Sequence, residues 1–523
     1  MTDRSGPRPA LAVARIAASI CLAASIVIFM AVRSPAAVHP WRPAAPTHVS
    51  IKVLTFNIGG DEWGGWTHPP GSPATAAAMA DVVTAIQTSG ADVVGVQEPY
   101  GRMRELAAAL GPGWYAAPRL YLLSRFPIVE PPGADGVWGY IEPVPGEVFV
   151  MFDAHLPSYP YGPLRIIKGD PRSAVVRIER RVRVPYVKRR LAYATPLIAA
   201  GIPTFFTGDF NSPSWRDWTK EVIAQRPYHP YPVRWPVSLT MEAAGFRDSL
   251  RQISTDPNAK PAYTWPAAYY GNDPKRIRRF DRIDFIWNSG PVATTNVQIL
   301  GEPGSPYTDI ASAPWPSDHR AVLGTFTVQP VPMPPLVSVA DAMIPQGSPV
   351  QVTYGARERH DVIDVVPAGG APSAAVASFI VTGSSGTTSF DSATLPPGNY
   401  DVVLADPGGA DLGRVRFTVV TPGGSPRLSL GDRTLHGTQP LHVTWSNDPG
   451  NRFDWLGIVP AGGRSPKTAP LYGWRYIGAR VDASATFGPL QHGRWPLRPG
   501  RWSVWLCIDD GYACTAHRSF TVT

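Results

Sequence analysis

The segment Phe205–Asn211 constrains the fold of this chain most, because it reads as a buried strand that ends in polar residues. Its sequence is FFTGDFN, in which an apolar run reaches Gly208 and is followed by Asp209 and Asn211. Successive side chains of a strand point to opposite faces, so Asp209 and Asn211 are expected on the same face. A single GDFN could merely close a strand with an Asx turn. The segment indicates a functional site only if other strands of the chain end in polar residues in the same way.

Four further segments have this form, and strands alternate with helices between Ile51 and about Val328. The segments are Leu54–Asn57 (LTFN), Val93–Glu98 (VVGVQE), Phe280–Trp287 (FDRIDFIW) and Ser317–His319 (SDH). Open α/β sheets gather functional side chains at the carboxyl ends of their strands. Five such segments in one domain therefore predict one shared site.

Glu98 and Asn57 are candidate metal ligands. Glu98 follows a buried strand and has no basic neighbour in sequence, so an ionised carboxylate there needs a partner such as a divalent cation. Asn57 could complete the shell through a water or hold a phosphate oxygen. Oxygen ligands favour Mg²⁺ or Mn²⁺ over Zn²⁺. The alternative for Glu98 is a helix or turn cap.

The pair Asp318-His319 adds an acid and a candidate general acid or base. A catalytic His needs a carboxylate to orient it. Asp284 is the preferred orienter because it lies within the apolar strand FDRIDFIW, and Asp281 is the second choice. His155, in DAHLP at another strand end, is a second catalytic candidate, or else an ordinary core or loop histidine.

The chain is long enough for roughly three domains, and its prolines mark one boundary. The run QPVPMPP at 329–335 is predicted to be a stiff linker. Beyond it, DVIDVVPAGG at 361–370 recurs as DWLGIVPAGG at 454–463, and LPPGNY at 395–400 recurs as LRPGRW at 497–502. Short strands and frequent turns predict two tandem all-β modules, with immunoglobulin-like sandwiches as the expected fold.

The N-terminus indicates export. Arg4, Arg8 and Arg15 precede an apolar run over 16–32, as in a secretory signal, although an uncleaved membrane anchor is the alternative. Cys21 lacks the residues of a lipoprotein signal before it. Cys507 and Cys514 flank a predicted hairpin, where either a disulfide or two free buried thiols would fit.

Two further groups of residues bear on the substrate, and each has a purely structural alternative. Apolar residues alternate with charged ones in part of 165–190, which predicts that this part is an edge strand or ribbon near the cleft. The segment either contacts phosphates or an anionic headgroup or is only a solvated face. Its basic residues are Arg165, Lys168, Arg172, Arg177, Arg180, Arg181, Arg183, Lys188, Arg189 and Arg190. Predicted loop aromatics either contact the substrate or membrane or pack the loops, and they are Trp63, Trp66, Trp138, Tyr159 and Tyr161.

Residues 51–328 resemble the endonuclease/exonuclease/phosphatase superfamily, whose motifs match the five segments in order. The resemblance implies a four-layer α/β sandwich, with two packed sheets flanked by helices, and metal-dependent hydrolysis of phosphoesters. It implies that Asn57, Glu98 and Asp318 serve the metal site. It also implies that Asp209 orients or deprotonates the attacking water.

The resemblance assigns phosphate contacts to Asn211 and His155, and an essential His to His319 with Asp284 or Asp281. The sequence departs from two branches of this superfamily. Inositol polyphosphate 5-phosphatases carry a Trp before the GD motif and an Arg soon after it, whereas this region reads FTGDFNSPSWRDW. In abasic-site enzymes an Asp lies two residues beyond the first Asn, and here that position is Gly59. These differences argue against a phosphoinositide 5-phosphatase and against a DNA-repair enzyme of the abasic-site type.

The sequence thus predicts a leader and linker at 1–48, a catalytic domain at 49–328, and β modules at 336–421 and 426–523. The predicted function is an exported Mg²⁺-dependent phosphodiesterase that acts on a lipid headgroup or small phosphodiester, with a membrane surface as a candidate partner. An extracellular nuclease on DNA or RNA is the alternative, and a non-catalytic surface-binding protein is the third. The sequence indicates no oligomeric state.

Overall fold

The computed structural model describes residues 48–59, 73–226, 229–267, 280–462, 465–478, 480–488, 495–509 and 511–523. Up to residue 332 the chain combines strands and helices. The strands are β1 (Val49–Asn57), β2 (Val93–Gln97), β3 (Tyr115–Ala117), β4 (Leu122–Ser124), β5 (Ile128–Val129), β6 (Trp138–Val144), β7 (Glu147–His155), β8 (Thr204–Asp209), β9 (Arg247–Asp248), β10 (Asp284–Ser289), β11 (Val292–Gly301), β12 (Ile310–Ala311), β13 (Ala321–Val328) and β14 (Val331–Pro332). The helices are α1 (Pro73–Ser89), α2 (Met103–Leu110), α3 (Gly162–Ile167), α4 (Arg172–Val182), α5 (Val184–Ala199), α6 (Lys220–Ile223), α7 (Pro236–Ala243) and α8 (Ser249–Ile253).

These strands form two mixed sheets, which we call sheet 1 and sheet 2. Sheet 1 has the order β12-β11-β13-β1-β2-β4-β3, and sheet 2 has the order β5-β6-β7-β8-β10-β9 with β14 beside β7. The pairs β1–β2 and β7–β8 are parallel, whereas β13 and β10 run antiparallel to their neighbours. The carboxyl ends of β1 and β2 in sheet 1, and of β7 and β8 in sheet 2, therefore bring polar residues together at one end of each sheet.

The two sheets pack face to face, and helices cover their outer faces. Val53 of sheet 1 and Phe149 and Phe205 of sheet 2 belong to the same buried cluster. A second cluster joins sheet 1 to α1 and α2, and a third joins sheet 2 to α5 and α7. In α2 the buried side chains fall at helical spacing, which explains why this segment is a helix on a sheet.

The prediction of an edge strand within 165–190 is wrong, because this segment forms the end of α3, all of α4 and the start of α5. Val175 and Glu179, four residues apart, are both buried, as helical spacing requires. Glu179 also forms a buried ion pair with Arg183 at 2.6 Å. The alternation of apolar and basic residues that suggested a strand does not describe which side chains are buried.

The C-terminal region is all-β, as the repeat predicted. Its first half, module 1, contains β15 (Leu336–Val339), β16 (Met343–Pro345), β17 (Pro349–Gly355), β18 (Val362–Pro367), β19 (Ala377–Ile380), β20 (Ser385–Asp391), β21 (Gly398–Ala405) and β22 (Asp411–Val420). Its second half, module 2, contains β23 (Arg427–Leu430), β24 (Thr434–Leu435), β25 (Leu441–Ser446), β26 (Trp455–Pro460), β27 (Gly473–Tyr476), β28 (Ala483–Phe487), β29 (Gly500–Cys507) and β30 (Cys514–Val522). Each module has one three-stranded and one five-stranded sheet around its own buried cluster.

The predicted hairpin disulfide is present between Cys507 and Cys514, at the end of β29 and the start of β30. The predicted leader over 1–48 lies almost wholly outside the described residues. Among the residues that are described, no helix has both the length and the apolar character needed to cross a membrane.

Candidate functional site

Strand pairing places the predicted site residues next to one another. In sheet 2 the pairing puts His155, Asp209 and Asp284 side by side on β7, β8 and β10. In sheet 1 Asn57 pairs with Gln97, so Glu98 follows directly at the same edge. The polar strand ends of the two sheets thus face a common space.

Asn57 connects the two sheets. Its side-chain nitrogen lies 3.2 Å from Glu98 Oε1 and 3.1 Å from Asp209 Oδ2, so it donates to both carboxylates. Its oxygen accepts the backbone N–H of Gly59 at 3.0 Å. Tyr100 donates its hydroxyl to the other oxygen of Glu98 at 3.2 Å. Glu98 is therefore held in one orientation at the edge of the site.

Asp209 lies buried at the centre and is held by Asn211. The backbone N–H of Asn211 donates to Asp209 Oδ1 at 2.8 Å, and its amide donates to Oδ2 at 3.1 Å. That amide also donates to the Leu156 carbonyl oxygen at 3.1 Å. Burial and the neighbouring Asp284 carboxylate raise the pKa of Asp209, partly offset by His319 and His155.

His319 is oriented by Asp284, the preferred partner, with 3.0 Å between Nδ1 and Asp284 Oδ2. Its other ring nitrogen, Nε2, lies 3.7 Å from Asp209 Oδ2. Burial by itself would lower the pKa of His319, but the carboxylates of Asp284, Asp318 and Asp209 outweigh it and raise the pKa well above its usual value. The ring is consequently held charged, with Nε2 directed at the centre of the site.

His155 and Asp318 flank this centre. His155 Nε2 lies 3.5 Å from Asp209 Oδ2 and 3.6 Å from Glu98 Oε1. Asp318 Oδ1 lies 3.9 Å from His319 Nε2. The second-choice orienter, Asp281, does not meet His319, because its carboxylate instead accepts from Tyr161 at 3.1 Å.

The site carries an excess of negative charge. Four carboxylates meet here, those of Glu98, Asp209, Asp284 and Asp318. Within the described parts of the chain, the ion pairs found for these four involve only His155 and His319, and none involves a lysine or arginine. Even with both histidines protonated, two negative charges stay uncompensated, which suits a divalent cation.

A metal ion could be held in more than one way. Single donor atoms of Asp209, Asp284 and His319 lie within 4.8 Å of one another. This trio differs from the predicted set of Asn57, Glu98 and Asp318. Because His319 Nδ1 and Asp284 Oδ2 are already hydrogen-bonded to each other, the oxygen-rich edge around Glu98 fits a hard cation better.

The structure also adds residues that sequence reasoning missed. Thr264 Oγ1 accepts the backbone N–H of Asp284 at 3.2 Å, and Trp265 Nε1 donates to Asp318 Oδ2 at 2.9 Å. Ser317, quoted only as part of SDH, donates to the Asn57 carbonyl oxygen at 2.7 Å. No local pattern signals Thr264 or Trp265, since both act on residues that are distant in sequence.

The predicted loop aromatics divide into three groups. Trp138 lies in β6 and is buried, and Tyr161 is also buried, so both are structural rather than exposed loop residues. Tyr159 is 73% exposed. Trp63 and Trp66 lie outside the described residues.

Comparison with known proteins gives one family. The Endonuclease/Exonuclease/phosphatase family model matches residues 54–319, just over half of the chain. An uncharacterized protein of Caenorhabditis elegans is 26% identical over 313 residues, which cover 54% of this chain and 92% of that protein.

Several solved structures are similar at lower identity. An endonuclease/exonuclease/phosphatase from Beutenbergia cavernae is 15% identical, with a TM-score of 0.33, covering 71% of this chain and 100% of that one. The mannosyl-6-phosphatase of Bacteroides thetaiotaomicron is 16% identical, with a TM-score of 0.33, covering 53% and 99%.

Proposed function

Because this chain belongs to the endonuclease/exonuclease/phosphatase family, we propose that it hydrolyses a phosphoester with the help of a divalent metal ion. Members of this family are hydrolases that act on phosphoester bonds. The observation that carries the proposal is the group of four carboxylates faced only by two histidines among the described ion pairs. A purely structural cluster would be expected to contain a balancing lysine or arginine.

The metal would be held by Asn57, Glu98 and Asp318, with Mg²⁺ or Mn²⁺ preferred by their oxygen donors. When bound, such an ion polarises a phosphoryl oxygen and stabilises charge on the leaving oxygen. Asn57 is the last residue of β1, Glu98 directly follows β2, and Asp318 lies in the segment before β13. The fit rests on the carboxylate oxygens of Glu98 and Asp318 and on the uncompensated charge around them, because Asn57 turns its amide nitrogen to the carboxylates while its oxygen accepts from Gly59.

The chain's own groups would then carry the proton transfer and the phosphate contacts. Asp209, held by Asn57 and Asn211, would orient the attacking water and accept its proton. His155 and Asn211 would contact phosphate oxygens. His319, kept charged by Asp284, would stabilise the negative charge that develops on the phosphoryl group.

The decisive test is Mg²⁺-dependent hydrolysis of bis-p-nitrophenyl phosphate by residues 40–523. We expect Asp209→Ala and His319→Ala each to lower turnover by at least ~10²-fold, while circular dichroism shows that the fold survives. EDTA should abolish the activity, and Mg²⁺ should restore it. His442→Ala is the matched control, because His442 is exposed in module 2 and lies outside the site. Full turnover in both site variants would reject this assignment.

For the natural substrate we propose a lipid headgroup or a small phosphodiester outside the cytoplasm, reached by means of the predicted signal or anchor. An extracellular nuclease is the second candidate, supported by exposed basic side chains on α4 and α5 such as Arg177, Arg181 and Arg189. A nuclease should lose activity steeply as salt rises, because phosphate contacts release counterions. Activity on sphingomyelin or phosphoinositide vesicles that persists in salt would favour the lipid enzyme. A non-catalytic binding protein would hydrolyse neither.

We further propose that both C-terminal modules are immunoglobulin-like. In module 1 the sheets β15-β17-β20 and β16-β22-β21-β18-β19 follow the order of such sandwiches. Tyr400, on β21, donates its hydroxyl to the Pro396 carbonyl oxygen at 2.9 Å, as in a tyrosine corner. Trp502 takes the same position on β29 and donates to the Arg498 carbonyl oxygen at 3.0 Å. The repeated corner supports a common fold for the two modules.

A further inference from the structure

Module 2 reaches the edge of the candidate active site. A cleft of about 330 Å³ opens beside Glu98 and His155, and Tyr159 lines it from the same domain. Its remaining wall includes Phe453, Trp474 and Tyr476, all from module 2. The surroundings of the predicted metal and phosphate groups are therefore built from two parts of the chain that lie far apart in sequence.

The wall is a continuous run of aromatic rings that crosses the domain boundary. The ring of Tyr121, in the catalytic domain, lies 5.0 Å from that of Phe453. Phe453 lies 5.2 Å from Tyr476, and Tyr476 lies 5.3 Å from Trp474. Trp474 and Tyr476 are two residues apart on β27, so both side chains point to the same face of that strand.

Two buried contacts hold this wall in place. Asp509 of module 2 accepts from the Tyr121 hydroxyl and from the backbone N–H of Gly101, three residues after Glu98. Arg452 is buried between the domains, with its guanidinium nitrogens 3.4 and 3.5 Å from the carbonyl oxygen of Asp153. Asp153 lies two residues before His155 on β7. Module 2 therefore contacts both chain segments that carry the cleft's polar edge.

We infer that module 2 completes the substrate cleft, and that Trp474 and Tyr476 bind a ring group carried by the phosphoester. This inference rests on the proposed phosphoester chemistry and names the kind of substrate that the site accepts. Aromatic side chains stack on nucleobases, and their faces equally suit the apolar face of a sugar ring. A cavity of about 330 Å³ is at the small end of ligand pockets, so it suits one ring rather than a long acyl chain.

Equilibrium binding tests this without turnover. In a His319→Ala background of the full chain with Mg²⁺, titration calorimetry would compare adenosine monophosphate, glucose 6-phosphate and glycerol 3-phosphate. All three carry the same phosphate, and only the first two carry a ring. We expect the better ring-bearing probe to bind about tenfold more tightly than glycerol 3-phosphate, which is within the range for aromatic stacking. The tighter of the two ring probes identifies a base or a sugar as the preferred group.

Variants of module 2 then show which side chain causes the tighter binding of the ring-bearing probes. Trp474→Ala should remove it, Trp474→Phe should retain most of it, and Trp505→Ala should leave it unchanged. Trp505 is the matched control because it lies in the same sheet, stacks on His517 at 4.3 Å and does not line the cleft. Equal affinities, absent binding of all three probes, or a preference that survives Trp474→Ala would each overturn the inference. Failure of hydrolysis with the ring preference intact would instead reject the proposed function alone.

Discussion

Gly208 lies where β8 passes very close to β7, directly before Asp209. Its φ is 153°, and a Cβ atom placed there would lie 2.1 Å from the carbonyl oxygen of Ala154. That oxygen belongs to the backbone beside His155, so it cannot move without moving the site. The glycine of FFTGDFN is therefore needed for the close approach of the two strands that carry His155 and Asp209.

We expect Gly208→Ala to destabilise the fold and to lower turnover, because β7 and β8 must separate to admit the methyl group. The free energy of unfolding should fall by roughly 1–3 kcal/mol or more, as for other overpacked positions. Urea denaturation and steady-state kinetics measure the two effects. Gly201→Ala is the control, since Gly201 also has a positive φ of 74° but has nothing within 4 Å of the added atom. Equal losses in both variants would show that backbone conformation, and not the clash, determines the effect.

His229 offers a pH-dependent test of packing away from the site. Burial, assisted by the charge of Arg226, lowers the pKa of His229 to about 3. The unfolded chain binds a proton near pH 6.5, whereas the folded chain does so only near pH 3. Stability is therefore full above pH 6.5 and falls as the pH drops towards 3. By pH 5 the loss should be about 2 kcal/mol.

His229→Phe keeps a ring against Trp218, which lies 4.5 Å away, but removes the titration. We expect the difference in unfolding free energy between pH 7 and pH 5 to be about 2 kcal/mol smaller in the variant than in the unmodified chain. Urea denaturation at the two pH values measures it. An identical pH dependence in both proteins would contradict the assignment of a buried neutral His229.

At the scale of elements, a buried ion cluster anchors the start of β10, where Asp284 lies. Arg282 donates to both oxygens of Asp248 at 2.9 and 2.6 Å and to Asp217 at 2.9 Å. Arg251 balances the second negative charge by donating to Asp217 at 2.7 Å. The two arginines and two aspartates are all buried, so removing one partner leaves an unpaired charge in the interior.

We expect Arg282→Leu to lower the free energy of unfolding by roughly 3–5 kcal/mol. Adding Asp248→Asn to that variant should cost less than the sum of the two single changes, because both remove the same interaction. Arg216→Leu breaks a half-exposed pair with Glu242 and serves as the control, with an expected effect below about 1 kcal/mol. Additive losses in the double variant would show that the cluster does not act as a unit.

The polar strand ends were predictable because they combine two local signals, an apolar run and a polar residue directly after it. These signals brought Asn57, Glu98 and Asp209 to one predicted site, and the structure places them in contact. The helices over 172–199 were not predictable from alternation, because apolar residues two apart fit a strand while the burial follows a spacing of four. Trp265 was also missed, since its bond to Asp318 depends on how the chain returns to the site.

At the scale of the whole molecule, the repeat predicted two all-β modules but not where they dock. Docking depends on single side chains, such as Arg452 and Asp509, that carry no local pattern. Arg452 lies in a turn and packs over the ring of Phe453 at 4.3 Å. Its burial against β7 links the stability of module 2 to the position of His155.

Arg452→Met tests this link. The change keeps an apolar side chain against Phe453 but removes the charge beside the Asp153 carbonyl oxygen. We expect hydrogen exchange to quicken both at the end of β7 and in β27, because Arg452 contacts Asp153 on β7 and packs over Phe453, which in turn contacts Tyr476 on β27. Arg475→Met is the control, since Arg475 donates within module 2 to the Thr486 carbonyl oxygen. Faster exchange confined to β27 would mean that the catalytic domain holds His155 without help, and that module 2 contributes to the cleft only its aromatic wall.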